Sequence, residues 1–152
     1  DAVKLEGGKK IINQIKYLIK KKIPVMGHLG LLPQTAKGKF KSKGKSTRET
    51  KQLIKDALLL QSNGVFAIVL ECVKASTAKK ITQSLKIPTI GIGSSVYCDG
   101  QVLVTDDLIG LNNTKIKFVK KFINIKKYIN LGLKKFSNEV RSKKYPTKKY
   151  SY

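Results

Sequence analysis

Gly64-Val65-Phe66-Ala67-Ile68-Val69-Leu70-Glu71-Cys72 is the stretch whose reading decides the fold. Six apolar residues follow the glycine without a polar interruption, the pattern of a strand covered on both faces in a parallel sheet. Glu71 then ends the run. A carboxylate at that point implies that the strand has reached a wet pocket. Partial desolvation there raises its pKa and suits it to moving protons near neutrality. A helix cap or a solvated strand end is the alternative reading of the same acid.

Outward from this strand, short β-branched runs alternate with amphipathic helical stretches, as in successive βα units. Strands are expected over residues 2–5, 25–29, 65–70, 89–92 and 101–104. The helix expected over 9–22 places Ile11, Ile12, Ile15, Leu18 and Ile19 on one face, and Pro24 ends it. Ser46-Thr47-Arg48-Glu49 has the S-x-x-E capping-box pattern, so a helix should start there and run through Leu53, Ile54, Ala57 and Leu58. Ser76 is expected to cap the next helix, and Asp99-Gly100 to turn into the fifth strand. Beyond Thr114 a helical pattern carries Phe118, Val119, Phe122 and Ile123, then Ile129, Leu133, Phe136 and Val140. One domain over 1–142 with a mobile basic tail over 143–152 is expected. The alternation fits a closed barrel or an open doubly wound sheet equally.

Composition narrows the class. The 152 residues are 41% apolar, enough for one core, and no apolar run reaches the length of a membrane span. The opening Asp1-Ala2-Val3-Lys4 reads as the middle of a longer protein rather than as an initiator or a signal peptide. Cys72 and Cys98 lack the number for a disulfide framework and the spacing for a metal site, so reduced thiols in a cytoplasmic protein are expected. The net charge of +23 raises the question of nucleic acid, yet of 32 basic residues only Arg48 and Arg141 are arginine, the side chain that forks onto phosphates and guanine edges. The lysines are spread over almost every segment, so non-specific attraction without sequence readout is the expectation.

In α/β barrels reactive groups stand at the C-terminal ends of strands. Lys4 and Glu6 are two apart, so an extended segment points both to one side. His28, the only histidine, lies near the end of the second strand. Each also has a plain reading: a surface ion pair for Lys4 and Glu6, a hydrogen-bonded packing residue for His28, and a buried small hydrophobe for Cys72. Asp106-Asp107 suggests a turn or a helix start rather than a metal pair, because adjacent residues on an extended segment diverge. Residues 33–45 form a Gly- and Lys-rich stretch without apolar period, which reads as a functional loop or lid.

Five strings together resemble one family. Val3-Lys4-Leu5-Glu6-Gly7-Gly8, Pro24-Val25-Met26-Gly27-His28-Leu29-Gly30-Leu31 with Pro33-Gln34, Leu70-Glu71-Cys72-Val73, Ile90-Gly91-Ile92-Gly93 and Asp99-Gly100-Gln101-Val102-Leu103-Val104 look like consecutive motifs of ketopantoate hydroxymethyltransferase. The order and spacing match along essentially the whole chain, down to Tyr145-Pro146. The resemblance implies a TIM-type (βα)8 barrel of the phosphoenolpyruvate mutase and isocitrate lyase type, here a partial barrel lacking about the first three strands. It implies Mg2+-dependent transfer of a hydroxymethyl group from methylenetetrahydrofolate to 2-oxoisovalerate, giving ketopantoate for pantothenate and coenzyme A synthesis. By motif match Glu71 is the base, Lys4 and His28 bind substrate, and Glu6 belongs to the metal site. The family's two magnesium-holding aspartates and a substrate serine would lie upstream of residue 1. A homo-oligomeric ring, a decamer by family, is implied for the complete protein. The chain departs from the family pattern at Ser94-Ser95, at Asp106-Asp107 and in the lysine-rich loop. A non-catalytic remnant, or a relative acting on another 2-oxo acid, is the alternative.

Overall fold

A computed structural model describes residues 1–36, 41–113 and 115–152. It divides into two compact units, Asp1–Val102 and Leu103–Tyr152.

The first unit is built on five parallel strands hydrogen-bonded in sequence order: β1 (Val3–Glu6), β2 (Val25–Gly30), β3 (Ala67–Glu71), β4 (Thr89–Ile92) and β5 (Gly100–Gln101). Helices α1 (Ile12–Lys20), α2 (Thr47–Ser62) and α3 (Ala75–Ser84) connect the first four. In such an order every right-handed crossover lands on the same face of the sheet. The side chains agree: Val25, Leu29, Ile68 and Leu70 alternate along β2 and β3 toward Ile15, Ala57, Leu60, Ala78 and Ile81 of the helices, all buried in one cluster. Burying one such Leu or Ile side chain is worth about 1.5–3 kcal/mol. Gly27 shows how closely α2 rests on β2, since a Cβ there would come within 2.9 Å of Leu60 Cδ1. A doubly wound sheet reverses its strand order and carries helices on both faces. The sequential order and one-sided helices observed here are instead compatible with a segment of a βα barrel.

The capping box at α2 forms as the sequence requires. Ser46 Oγ accepts the Glu49 N–H at 3.2 Å, and Glu49 reaches back to the Lys45 N–H at 2.9 Å. This backbone hydrogen bond is the main reason the Glu49 carboxyl is held below its ordinary pKa. Three local expectations differ from the structure. The N-cap of α3 is Lys74, with no side-chain bond, and Ser76 lies inside the helix. The fifth strand is only Gly100–Gln101, because beyond the Val102 N–H bond to Gly91 O the ladder stops. Phe118, Val119, Phe122 and Ile123 are not helical.

In the second unit α4 (Thr105–Leu108) is a single turn, and α5 spans Ile125–Arg141. Asn124 caps α5 by accepting the Lys127 N–H. The expected tail contains a 3-10 turn, Lys148–Tyr150, and Tyr145 stands edge-on to Phe136 at 5.5 Å between ring centroids.

Candidate functional site

The face of the sheet away from the helices carries the polar outliers. Parallel pairing sets Glu6 beside His28 and Gly30 beside Glu71, so β1, β2 and β3 end side by side with these residues projecting from the same face. Lys4, two residues before Glu6, shares that face.

The four side chains form a continuous row. Lys4 Nζ lies 3.1 Å from His28 Nδ1 and 3.6 Å from Glu6 Oε1. His28 Nδ1 is 3.7 Å from Glu6 Oε1, and its Nε2 is 3.3 Å from Glu71 Oε2. The imidazole is therefore flanked by one carboxylate on each side. His28 is 2% exposed, and burial first, with the Lys4 charge second, lowers its pKa; the Glu6 charge opposes both. The lowered pKa favours the neutral ring, whose approaches to the carboxylates are then close contacts rather than ion pairs. An ammonium can only donate, so Nδ1 accepts from Lys4 and the ring proton resides on Nε2. That Nε2–H is buried and has no hydrogen-bond partner among the described residues. Buried polar atoms are rarely left so, and those that are commonly belong to functional sites.

Glu71 has its pKa raised, chiefly by desolvation and secondly by the charge of Glu6, with Lys4 acting the other way. Its backbone is fixed on both sides, the carbonyl accepting from Leu31 N–H at 2.8 Å and the next amide, Cys72, donating to Ile92 O at 2.9 Å. Gly30 makes the first of these possible. It holds φ at +99°, and a Cβ would run into the Glu71 carbonyl. Glu6 is tied down as well, through Oε2, which accepts the Gln34 N–H at 3.1 Å.

Other residues singled out in the sequence have visible local jobs. Asp107 is buried and accepts from Asn112 Nδ2 at 3.0 Å. Ser95 Oγ accepts the Tyr97 N–H, and its carbonyl accepts from Gln101 Nε2. Cys72, expected to be buried, is half-buried, with φ at +51°. Burial and the neighbouring Glu71 charge push its thiol pKa up, away from nucleophilic use. Of the expected loop, residues 37–40 lie outside the described residues; its return is latched to α3 and to the turn after β3, with Gly44 O accepting from Thr77 Oγ1 at 2.9 Å and Lys43 N–H donating to Cys72 O at 2.9 Å. Sequence reasoning missed this latch. It also missed the Asp99 carboxylate, which takes both the N–H and the hydroxyl of Thr89 at the start of β4.

Among the described residues no group of three or more His, Cys, Asp or Glu is arranged to hold a metal ion. The donor chemistry suits Mg2+ in kind, because Glu6 offers a hard carboxylate oxygen and the ion is commonly held by one or two carboxylates with water and substrate completing its octahedron. No described helix is long and apolar enough to cross a membrane.

Fold and site together define an α/β protein with an acid–base cluster at the C-terminal ends of consecutive parallel strands. Within that class the chain belongs to the ketopantoate hydroxymethyltransferase family, which matches residues 1–148. It is 62% identical over its whole length to the 3-methyl-2-oxobutanoate hydroxymethyltransferase of Pelagibacter ubique, covering 59% of that protein. Proteins of the same name from Ignicoccus hospitalis and Clostridium botulinum are 47% and 46% identical over 99% of the chain, which covers 58% and 56% of them. The chain therefore spans somewhat over half the length of these relatives.

Proposed function

We propose that the complete protein containing this chain is a 3-methyl-2-oxobutanoate hydroxymethyltransferase, which transfers a one-carbon unit from methylenetetrahydrofolate to 2-oxoisovalerate and so forms ketopantoate. The observation that carries the proposal is the row Lys4, Glu6, His28 and Glu71 at the ends of three strands, with Glu71 raised in pKa beside the imidazole. Names and identity of the relatives support the same reading. The fold is completed as a TIM-type (βα)8 barrel, with residues 1–142 contributing the last five strands of one domain. Two further features agree with this: the sequential sheet and the one-sided helices.

The reaction needs a carbon nucleophile next to a ketone. In this proposal Glu71 removes the C3 proton of the oxo acid, and its raised pKa makes it a stronger base than an exposed glutamate. Lys4 pairs with the substrate carboxylate. By donating to Nδ1, Lys4 also keeps the His28 proton on Nε2, where it is available to a substrate oxygen. Glu6 is the carboxylate this chain offers to Mg2+, directly or through water, the other ligands coming from outside these residues. When bound, the cation supplies positive charge that stabilises the enolate oxygen. Water releases the folate-borne methylene from its two nitrogens as formaldehyde, leaving tetrahydrofolate; the enolate carbon adds to that carbonyl, whose oxygen takes up a proton and becomes the new hydroxyl group. The complete protein is further proposed to be cytoplasmic and to assemble as a ring of subunits.

The test is the reaction itself. Purified full-length protein with Mg2+, 2-oxoisovalerate and methylenetetrahydrofolate should yield ketopantoate, followed by chromatography of the product. Turnover of a different 2-oxo acid in preference to 2-oxoisovalerate would contradict the substrate assignment, and no turnover of any 2-oxo acid would contradict the activity.

A further inference from the structure

Glu71 is the last residue of β3, and the chain does not continue straight after it. Cys72 adopts φ +51°, a left-handed conformation that L-residues rarely hold. In a continuing strand Val73 would share the face of Glu71. Instead Val73 is buried with Leu70 in the helix-side core, and the Glu71 carboxyl stands beside His28 on the other face. A turn of this kind persists only where the surrounding structure over-determines it. Neighbouring strands hold its first peptide, between Glu71 and Cys72, through the Leu31 N–H and the Ile92 carbonyl.

The next carbonyl, that of Cys72, is held by the loop between β2 and α2. The Lys43 N–H donates to it at 2.9 Å, and the Lys43 carbonyl accepts the Lys74 N–H at 2.9 Å, so Lys43 pairs with Val73 as in a one-residue parallel strand. Gly44 locks this arm in place. It is buried with φ +74°, its carbonyl accepts the Thr77 hydroxyl at 2.9 Å, and a Cβ there would come within 2.8 Å of Thr77 Cγ2. Lys43 itself is exposed, so what the arm gives the turn is backbone. Near its start the same loop meets the other carboxylate of the row, the Gln34 N–H donating to Glu6 Oε2.

We propose that Lys43 is a positioning residue for Glu71: its backbone N–H and carbonyl, locked by Gly44, hold the turn after β3 in its left-handed form and so fix the Glu71 carboxyl at the distance from His28 and the bound oxo acid that proton removal requires. This rests on the reading of Glu71 as the base. Without the arm the turn is free to relax, and displacement of a reacting group by about 1 Å is enough to cost up to ~100-fold in rate.

The experiment measures exchange of the C3 hydrogen of 2-oxoisovalerate for deuterium by full-length protein with Mg2+ in Lys43→Pro, Lys43→Ala and Glu71→Gln. Turnover is expressed per oxo-acid site, the sites being counted by titration calorimetry, so that a loss of folded protein lowers the count and not the turnover. Lys43→Pro removes the N–H that holds the Cys72 carbonyl, and should lower exchange turnover per site by about 10- to 100-fold with KM for the oxo acid unchanged, because Lys4 is untouched. Lys43→Ala keeps both backbone bonds and should exchange at close to the wild-type rate. If Lys43→Pro does not accumulate as folded protein, Gly44→Ala takes its place, since the added methyl group meets Thr77 and displaces the arm. Wild-type turnover per site in the Pro variant, or in the Gly44 variant that replaces it, would overturn the proposal. A loss in Lys43→Ala equal to that in Lys43→Pro would overturn it too, by assigning the effect to the side chain. Glu71→Gln separates the two levels. Exchange abolished there, with Lys43→Pro unimpaired, removes only the positioning role, whereas exchange retained there removes the base reading on which it rests.

Discussion

The two compact units handle amphipathic helices differently. In Asp1–Val102 each helix buries its apolar face: Ile15 of α1, Ala57 and Leu60 of α2, Ala78 and Ile81 of α3. In Leu103–Tyr152, α5 has an equally clear apolar pattern, yet none of its residues is buried, and Leu131 and Leu133 are 63% and 61% exposed. A helical period specifies which side of a helix is apolar. It does not specify that something lies against that side. The candidate site lies in the packed unit, where the backbone beneath its side chains is held in fixed geometry.

This contrast can be broken by substitution. Leu60→Ala removes a fully buried side chain wedged against Gly27, and should destabilise the protein by about 2–5 kcal/mol in denaturant unfolding. Leu131→Ala in the 152-residue chain should change stability by no more than about 0.5 kcal/mol. Equal effects at the two positions would mean that the face of α5 is covered in solution.

The row of polar residues sharpens it further. Lys4→Met in the full-length protein should raise KM for the oxo acid by about 10- to 100-fold, the worth of a hydrogen bond to a charged group. An unchanged KM would return Lys4 to the role of a surface cation. The smallest effect is on stability. The pKa of Glu71 is raised in the folded state, so ionising it works against folding. Stability from this group is complete below the ordinary glutamate pKa of about 4.3 and is lost as pH rises through the folded value. Glu71→Gln should therefore unfold at higher temperature than wild type at neutral pH, the gap closing below about pH 4. A Gln variant less stable at neutral pH would show that the carboxylate is held by favourable contacts instead.

Much of the site was legible because each signal was local. Glu71 betrays itself as an acid ending an apolar run, and Lys4 and Glu6 share a face because a strand has a period of two. The Ser46 cap is legible from four consecutive residues. What escaped depends on contacts between distant segments. Ser94 bonds Leu70 and Val73 across two strands, and nothing in Gly91-Ile92-Gly93-Ser94 announces that. The apolar spacing of Phe118 to Ile123 imitates a helix, but the chain there makes only an isolated turn from Ile116 to Val119, and the helix begins after Asn124, whose capping side chain was the available signal. The fifth strand is short for a similar reason, since an apolar run cannot reveal where its hydrogen-bonding neighbour ends.

The central claim is that Glu71 removes the C3 proton, and deuterium exchange without folate tests it most directly, because enolisation precedes one-carbon transfer. Full-length Glu71→Gln, with Mg2+ and saturating 2-oxoisovalerate, should exchange C3 hydrogen about 10²- to 10⁴-fold more slowly than wild type by proton NMR, since glutamine keeps the size and hydrogen bonding but cannot take the proton. Near-normal exchange in that variant would contradict the account and return the role of base to His28 or to a group outside this chain.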